Sequence, residues 1–401
     1  VNQRHPQPFE AARKKMKLLV ISHTPHYRRG DQIVGWGSTV RELDHLAGPF
    51  DELTHLAILH PGAPPPSSLP YASENIRPIL LPPSGGERLR DKAGVLKLAP
   101  AYLGEMRRQM RGADIVQVRC PANISLLALL ALGFSARPRY RWFKYAGNWR
   151  PPAGGEAPAY RLQRWLLAKN WGRGPVTING RWPDQPAHVH SLVNPCLTQA
   201  EVEQAQRLAA ARTLKQPVRF LFVGRAESAK GLGQALQIVA QVKERGIALR
   251  FDVIGDGAER KSFEEQARRL GVEAQTCFHG FLPRPEVSSF YAQAHFLLHP
   301  SRSSEGWPKV LSEAMAYGAL PLASDISSIP QTLGEIGCGA ALPAQAIERY
   351  VDEILGYLER PERWQAESQR GQQAAQRFTY EAYVASLKAM FHSHWGISLR
   401  S

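Results

Sequence analysis

The sequence predicts an α/β protein built as two doubly wound parallel-sheet domains. Short apolar runs alternate with stretches of helical period along nearly the whole chain, the pattern of strands crossed over by helices. The 401 residues suit two domains of ~150 residues each. The composition, 43% hydrophobic and 21% charged, is that of an ordinary globular protein.

In the first half, residues 17–22, 53–59, 76–80, 115–118 and 140–145 read as strands. Residues 39–46 read as a short helix with Ser38 as its N-cap. Residues 95–111 and 124–132 are further helices, and the apolar run 124–134 is expected to be a buried one. Proline-rich stretches at 61–70, 82–86 and 151–158 are surface loops. The second half is more regular. Strands are expected at 220–223, 249–254, 276–279, 296–299 and 319–323, with helices from 232, over 259–270, from 286 and after Pro308. Pro308 suits a first helical turn, and Gly318 ends that helix. Residues 347–358, the segment after Pro361 and residues 380–394 are helical. The last of these carries Tyr383, Leu387, Met390 and Phe391 on one face.

Composition narrows the function. Cys120, Cys196, Cys277 and Cys338 are scattered without a Cys-x-x-Cys, which argues against a disulfide framework or a zinc cage and suits a reducing compartment. The longest apolar run is too short for a bilayer span of ~20 residues, and no signal peptide is visible. The expectation is a cytoplasmic protein. The net charge of +15 is uneven: residues 1–195 hold 27 Lys+Arg against 13 Asp+Glu, and residues 196–401 hold 23 against 22. Basic clusters at Arg88/Arg90/Lys92, Arg107/Arg108/Arg111 and Arg137/Arg139/Arg141/Lys144 are either a solvated surface or an attraction to something anionic, such as a membrane leaflet, an acidic acceptor or nucleic acid.

Two loops carry the chemistry. In Glu305-Gly-Trp-Pro-Lys-Val-Leu-Ser-Glu313, one carboxylate precedes a helix N-terminus and the other lies about 8 Å further along the axis. A ligand bridging them is long and hydroxyl-rich, with its anionic part near the helix's positive end. In Phe220-Leu-Phe-Val-Gly-Arg-Ala-Glu-Ser-Ala-Lys-Gly231, a buried strand exits at Gly224 into a loop bearing Arg225 and Lys230. Two cations in a crossover loop at a strand's C-terminal edge are placed to hold a diphosphate. Ser301, Ser303 and Ser304 either assist there or serve their own turn.

The ordered set Gly35-Trp-Gly37, Gly224-Arg225…Lys230-Gly231, Gly255-Asp-Gly257 and Glu305…Glu313 followed by Ala-Met-Ala-x-Gly resembles the retaining GT-B glycosyltransferases of family four. The likeness is strong over 217–325 and looser over 17–195. It implies an acceptor domain at 1–195, a nucleotide-sugar domain at 196–377, and a C-terminal helix, 378–401, crossing back to the first domain. By position, Arg225 and Lys230 hold the donor diphosphate and Glu305 the transferred sugar. Glu313 takes the ribose, and Gly35 and Gly37 bring backbone N–H groups to the phosphates. Gly224 and Gly255, at the strand exits, are placed with the donor-binding residues, and Trp307 lines or packs the sugar site. With no Asp-x-Asp, His-Glu-x-x-His or clustered Cys/His, no metal is expected. No cofactor is expected either, since the nucleotide-sugar is the substrate. The partners implied are that donor and a carbohydrate or lipid-linked acceptor, with peripheral contact to an anionic membrane as a further expectation; no nucleic acid is expected.

The acceptor side departs from the family. Where many relatives carry His, this chain has Gln117-Val-Arg119-Cys120 and Lys144-Tyr145-Ala-Gly-Asn148, which removes the easiest general base. Either the departing phosphate takes the acceptor's proton, or Arg119, Lys144, Tyr145 and Asn148 bind an anionic or hydroxyl-rich acceptor differently. His23 and His26 are the substitute imidazoles. The competing reading is a catalytically weak module that binds nucleotide-sugars or anionic glycans.

Overall fold

The computed structural model describes residues 15–83, 89–152, 156–209, 212–303 and 305–400, and the side chains of 89–96 also lie outside that description. The first part of the chain runs β1 (Lys17–Arg29), β2 (Gln32–Trp36), α1 (Gly37–Ala47), β3 (Glu52–Leu59), β4 (Ser68–Leu69), β5 (Ile76–Leu81), α2 (Leu89–Gly112), β6 (Ile115–Cys120), α3 (Asn123–Gly133), β7 (Tyr140–Tyr145), α4 (Pro158–Ala168), β8 (Val176–Ile178) and β9 (Val189–Ser191). Its parallel strands stand in the order β5-β3-β1-β6-β7-β8-β9. The end of β1 turns back antiparallel as β2, which pairs β4. Alternation along β1 sends Leu18 and Val20 to one core and Leu19 and Ile21 to the other. A strand apolar on both faces belongs in the middle of a covered sheet.

The second part runs α5 (Gln199–Ala209), β10 (Val218–Val223), a 3₁₀ turn (Ser228–Lys230), α6 (Leu232–Glu244), β11 (Leu249–Ile254), α7 (Arg260–Arg269), β12 (Thr276–Gly280), α8 (Arg284–Gln293), β13 (Phe296–His299), α9 (Lys309–Ala316), β14 (Leu320–Ser324), α10 (Ile329–Ile336), β15 (Ala340–Leu342), α11 (Ile347–Glu359) and α12 (Pro361–Ala374). Its sheet is ordered β12-β11-β10-β13-β14-β15. Numbered by their own appearance, the parallel strands of both sheets follow the doubly wound order, reversing direction between the first and fourth. That reversal falls between β1 and β6 in one sheet and between β10 and β13 in the other. The final helix, α13 (Tyr380–Trp395), leaves the second sheet. Its stripe of Tyr383, Leu387, Met390 and Phe391 packs with Leu43, Leu46 and Trp142 of the first.

Some local expectations give way. Ser38 does not cap α1: the helix begins at Gly37, Trp36 holds the cap position, and no side chain bonds the first turn. Pro308 stands just before α9 with extended backbone, φ −70° and ψ 123°, rather than inside its first turn. The run 124–134 is not buried throughout. Ile124, Ala128, Leu129 and Leu132 are in the core, but Phe134 is 84% exposed.

Candidate active site

In an open parallel sheet, ligands bind outside the carboxyl ends of the strands where the order reverses. The loop after β10 carries Arg225 and Lys230, and the loop after β13 carries Glu305. The reversal of the second sheet therefore brings together two segments 75 residues apart in sequence. Lys230 Nζ forms an ion pair with Glu305 Oε1. Ala229 carbonyl ties the loops further, accepting from Arg302 N–H at 2.9 Å, Ser303 N–H at 3.2 Å and Ser301 Oγ at 3.2 Å. Ser301 and Ser303 thus serve the loop junction, and Ser304 lies outside the described residues. Gly231, at φ +84°, is needed here because a Cβ would stand 2.1 Å from Pro300 O. Behind the pair sits His299, buried at the end of β13. Burial pushes its pKa down to about 4, despite the Glu305 charge. Arg225 is different. Its side chain is 60% exposed and pairs with Glu227 at 2.7 Å.

A cleft of about 490 Å³ lies between the sheets, with Trp36, Arg41, Phe281, Arg284, Lys309 and Glu313 among its walls. The structure thus puts Glu313 in the cleft and Lys230 with Glu305 at the adjoining loop junction, while neither Arg225, Lys230 nor Glu305 forms the cleft wall itself. Glu313 Oε1 accepts from Arg284 at 2.6 Å and Oε2 from Tyr291 OH at 2.9 Å. Arg284 also reaches Glu201 at 2.9 Å, which pairs with Arg41 at 2.9 Å. Burial lowers the Arg284 pKa, but Glu313 and Glu201 outweigh it and raise the net value. A carboxylate has about four lone-pair positions, so Glu313 is oriented by two donors and keeps acceptor capacity for a ligand.

The glycines and Trp307 serve packing. Gly37 N–H donates to Ser67 O at 3.1 Å, and a Cβ there would stand 2.4 Å from that oxygen. A Cβ on Gly35 would meet the His26 ring at 2.5 Å. Gly37 lines the cleft, but its N–H is taken by Ser67 rather than free for a phosphate. Gly224 N–H donates to Ile254 O at 3.0 Å, and Gly255, at φ +125°, passes 1.9 Å from Gly224 O as its Cβ would be drawn. These two let neighbouring strand exits touch. Trp307 stacks on Phe378 at 5.4 Å and donates its indole N–H to Ser312 at 2.8 Å.

The acceptor-side residues are also committed elsewhere. Arg119 and Lys144 turn inward to Glu42 at 2.7 and 2.6 Å, and Lys309 of the second sheet approaches the same carboxylate at 3.9 Å. Glu42 is 1% exposed. Burial alone raises its pKa, but the three cations outweigh this and hold it well below the carboxylate range. Burial pulls Lys144 down to about 7 against the opposing pull of Glu42. Tyr145 OH donates to Glu156 at 3.0 Å, and Asn148 Oδ1 accepts from Arg150 N–H at 3.0 Å. The loop they share does meet the donor side: Gly306 N–H donates to Ala146 O at 3.2 Å, and Gly147 bridges Glu305.

Glu42 was missed in the sequence. The available signal was an acid beside Leu43 and Leu46 on the apolar side of a short helix. A second missed group is a buried chain of side chains. His26 Nδ1 donates to Thr24 O at 3.0 Å, so its Nε2 accepts from Tyr71 OH at 2.7 Å. Tyr71 then accepts from His55 Nδ1 at 2.6 Å, and His55 Nε2 accepts from Ser22 at 2.7 Å. Both imidazoles are neutral in this order, and burial lowers the pKa of each. His26 is therefore structural. His23 stays exposed, and its pKa is lowered by surrounding protein and then by Arg119.

Among the described residues, no three His, Cys, Asp or Glu side chains group as metal ligands. Residues 206–377 match the family model described as glycosyl transferases group 1. The chain is 31% identical over 173 residues to 2-deoxystreptamine glucosyltransferase of Streptomyces kanamyceticus, covering 42% of this chain and 44% of that one. It is 26% identical over 230 residues to D-inositol 3-phosphate glycosyltransferase of Kribbella flavida, covering 54% and 53%. The chain thus spans about half, or less, of the length of these curated relatives. In three dimensions it is similar to sucrose-phosphate synthase from Thermosynechococcus elongatus, with TM-score 0.67, 16% identity, and 94% and 99% of the two chains covered. It is also similar to Anabaena HepE in complex with UDP and glucose, with TM-score 0.64, 16% identity, and 94% and 100% covered. The chain thus has a GT-B fold of two parallel-sheet domains, and its residues 206–377 match the group 1 glycosyl transferases.

Proposed function

We propose that this chain is a retaining transferase that moves a hexose from a nucleoside-diphosphate sugar to a carbohydrate or lipid-linked acceptor without a divalent cation. The observation that carries the reading is the Lys230–Glu305 pair at the strand-order reversal of the second sheet, beside a cleft that holds Glu313. In this reading the donor opens that pair. Lys230 turns to the diphosphate, and Glu305 is released to the sugar hydroxyls. Glu313, oriented by Arg284 and Tyr291, takes the ribose. Arg225 swings in from its exposed pair with Glu227.

The bond from the sugar's anomeric carbon to the phosphate oxygen breaks, and the growing charge on the diphosphate is neutralised by the two cations. The acceptor oxygen forms its bond on the same face, and its proton passes to the departing phosphate oxygen. This route needs no protein base, which suits a cleft where Arg119 and Lys144 are occupied by Glu42 and His26 by Tyr71. Metal independence rests on the two cations, Arg225 and Lys230, which can neutralise the leaving diphosphate in place of an oxygen-bound divalent cation.

The test is nucleotide release. Incubated with a panel of nucleotide-sugars and no acceptor, the protein should slowly liberate nucleoside diphosphate from one of them, with or without excess EDTA. Binding without release across the panel would favour the catalytically weak binding module. Complete, metal-restored loss in EDTA would remove the cation-substitution argument.

A further inference from the structure

We propose that the open side of α3, with the adjoining end of α2, docks this protein onto an anionic lipid bilayer. The inference is independent of the transferase reading. It begins with a helix that breaks a rule. Asn123–Gly133 reads NISLLALLALG, apolar nearly all round, and such a helix is ordinarily enclosed on every side. Here one side is covered and the other is not: Leu130 is 36% exposed and Phe134, just beyond the helix end, is 84% exposed. Phe134 is held in place edge-on to Trp171, with ring centres 5.5 Å apart. Trp171 is itself 36% exposed.

Between α2 and α3 runs a groove of about 460 Å³ with Leu103 and Leu127 in its floor and Arg107, Arg111 and Arg137 on its rim. None of those arginines has a carboxylate partner among the described residues. Acids are few around it: Glu105 on α2 is taken by Arg108 at 2.7 Å and Asp114 accepts from Lys17 N–H at 3.0 Å, and from Ile115 to Pro183 eleven Lys and Arg face only Glu156, which is taken by Arg164 at 2.6 Å. Apolar side chains projecting from a ring of unpaired guanidinium groups match a surface with hydrocarbon beneath and phosphate above. Trp171 beside them suits the interfacial layer. A folded protein partner would need acids around a matching apolar pit. A nucleic acid would gain little from an aliphatic floor. The anionic bilayer satisfies both halves of the patch at once. The docking elements lie apart from the Lys230–Glu305 junction and the Glu313 cleft.

The experiment is flotation of the full chain with vesicles of phosphatidylglycerol and phosphatidylcholine, against phosphatidylcholine alone, at low and high salt. Binding is expected only to the anionic vesicles and should weaken as salt rises. Arg107→Gln, Arg111→Gln and Arg137→Gln should each reduce it about fivefold, and Phe134→Ser at least about tenfold. Thermal melting and nucleotide-sugar binding should be unchanged in all four. Equal binding to neutral vesicles, no binding to either kind, or wild-type binding by the four variants overturns the proposal. So does a lipid-free dimer that Phe134→Ser dissociates, which would make the patch a contact between copies. Retention of RNA in place of vesicles would also overturn it.

Discussion

At the scale of single residues, Glu42 decides more than any side chain read from the sequence. One carboxylate, 1% exposed, neutralises Arg119, Lys144 and Lys309. Removing its charge leaves those cations uncompensated in a site that lowers the pKa of both lysines by burial. Glu42→Gln is therefore expected to cost about 3–5 kcal/mol in urea unfolding, and adding Lys144→Met should recover part of the loss. A Glu42→Gln protein as stable as wild type would mean the cluster is solvated. Lys230 and Arg225 call for a different readout. Lys230→Ala and Arg225→Ala should each cut turnover at least about 10²-fold, the scale of one lost transition-state donor, with small effects on melting. Near-normal rates in both would end their proposed role. Lys230 and Glu305 were legible because glycines and strand ends framed them. Glu42 was not, because its role depends on partners 77, 102 and 267 positions away.

Elements were legible where hydrophobic period and length agreed. β11 and β13 match their expected bounds, and the helices at 347–359 and 380–395 nearly so. Unforeseen were β2 and β4, two short antiparallel pieces, and β8, β9 and β15, of three residues each. A strand so short carries no readable alternation, and its pairing is decided by the neighbouring sheet. α4 and α5 were hidden by a proline-rich lead-in and by a mostly polar face. α13 shows the opposite case: its four-residue stripe names its partner surface. Phe391 packs on Trp142 with ring centres 5.5 Å apart and is fully buried. Phe391→Ala should lower stability by about 3–5 kcal/mol, while exposed His392→Ala on the same helix should stay within about 0.5 kcal/mol. Equal, small effects in a denaturant titration would show that the helix is only loosely docked.

At the scale of the whole molecule, both sheets enclose imidazoles that the fold keeps neutral. His26 and His55 accept through their ring nitrogens in the first part. In the second, His295 Nδ1 accepts from Arg219 N–H at 3.0 Å. Burial pushes His295 and His299 down to about 4 and His55 well below its ordinary value. The unfolded chain titrates these groups near 6.5, so below that pH it binds protons that the folded chain refuses. Stability from this source is complete above about pH 6.5 and declines as pH falls toward 4, by up to ~1.4 kcal/mol per unit for each histidine. Ordinary carboxylates titrate mostly below this window and Lys144, at about 7, above it, which leaves pH 6.5 to 5 as the interval for the imidazoles. Melting temperature should drop across it, and the drop should shrink in His299→Gln and His55→Gln, even where those variants melt lower at pH 6.5. An unchanged slope in both variants would show that the buried rings take up their protons without opening the fold.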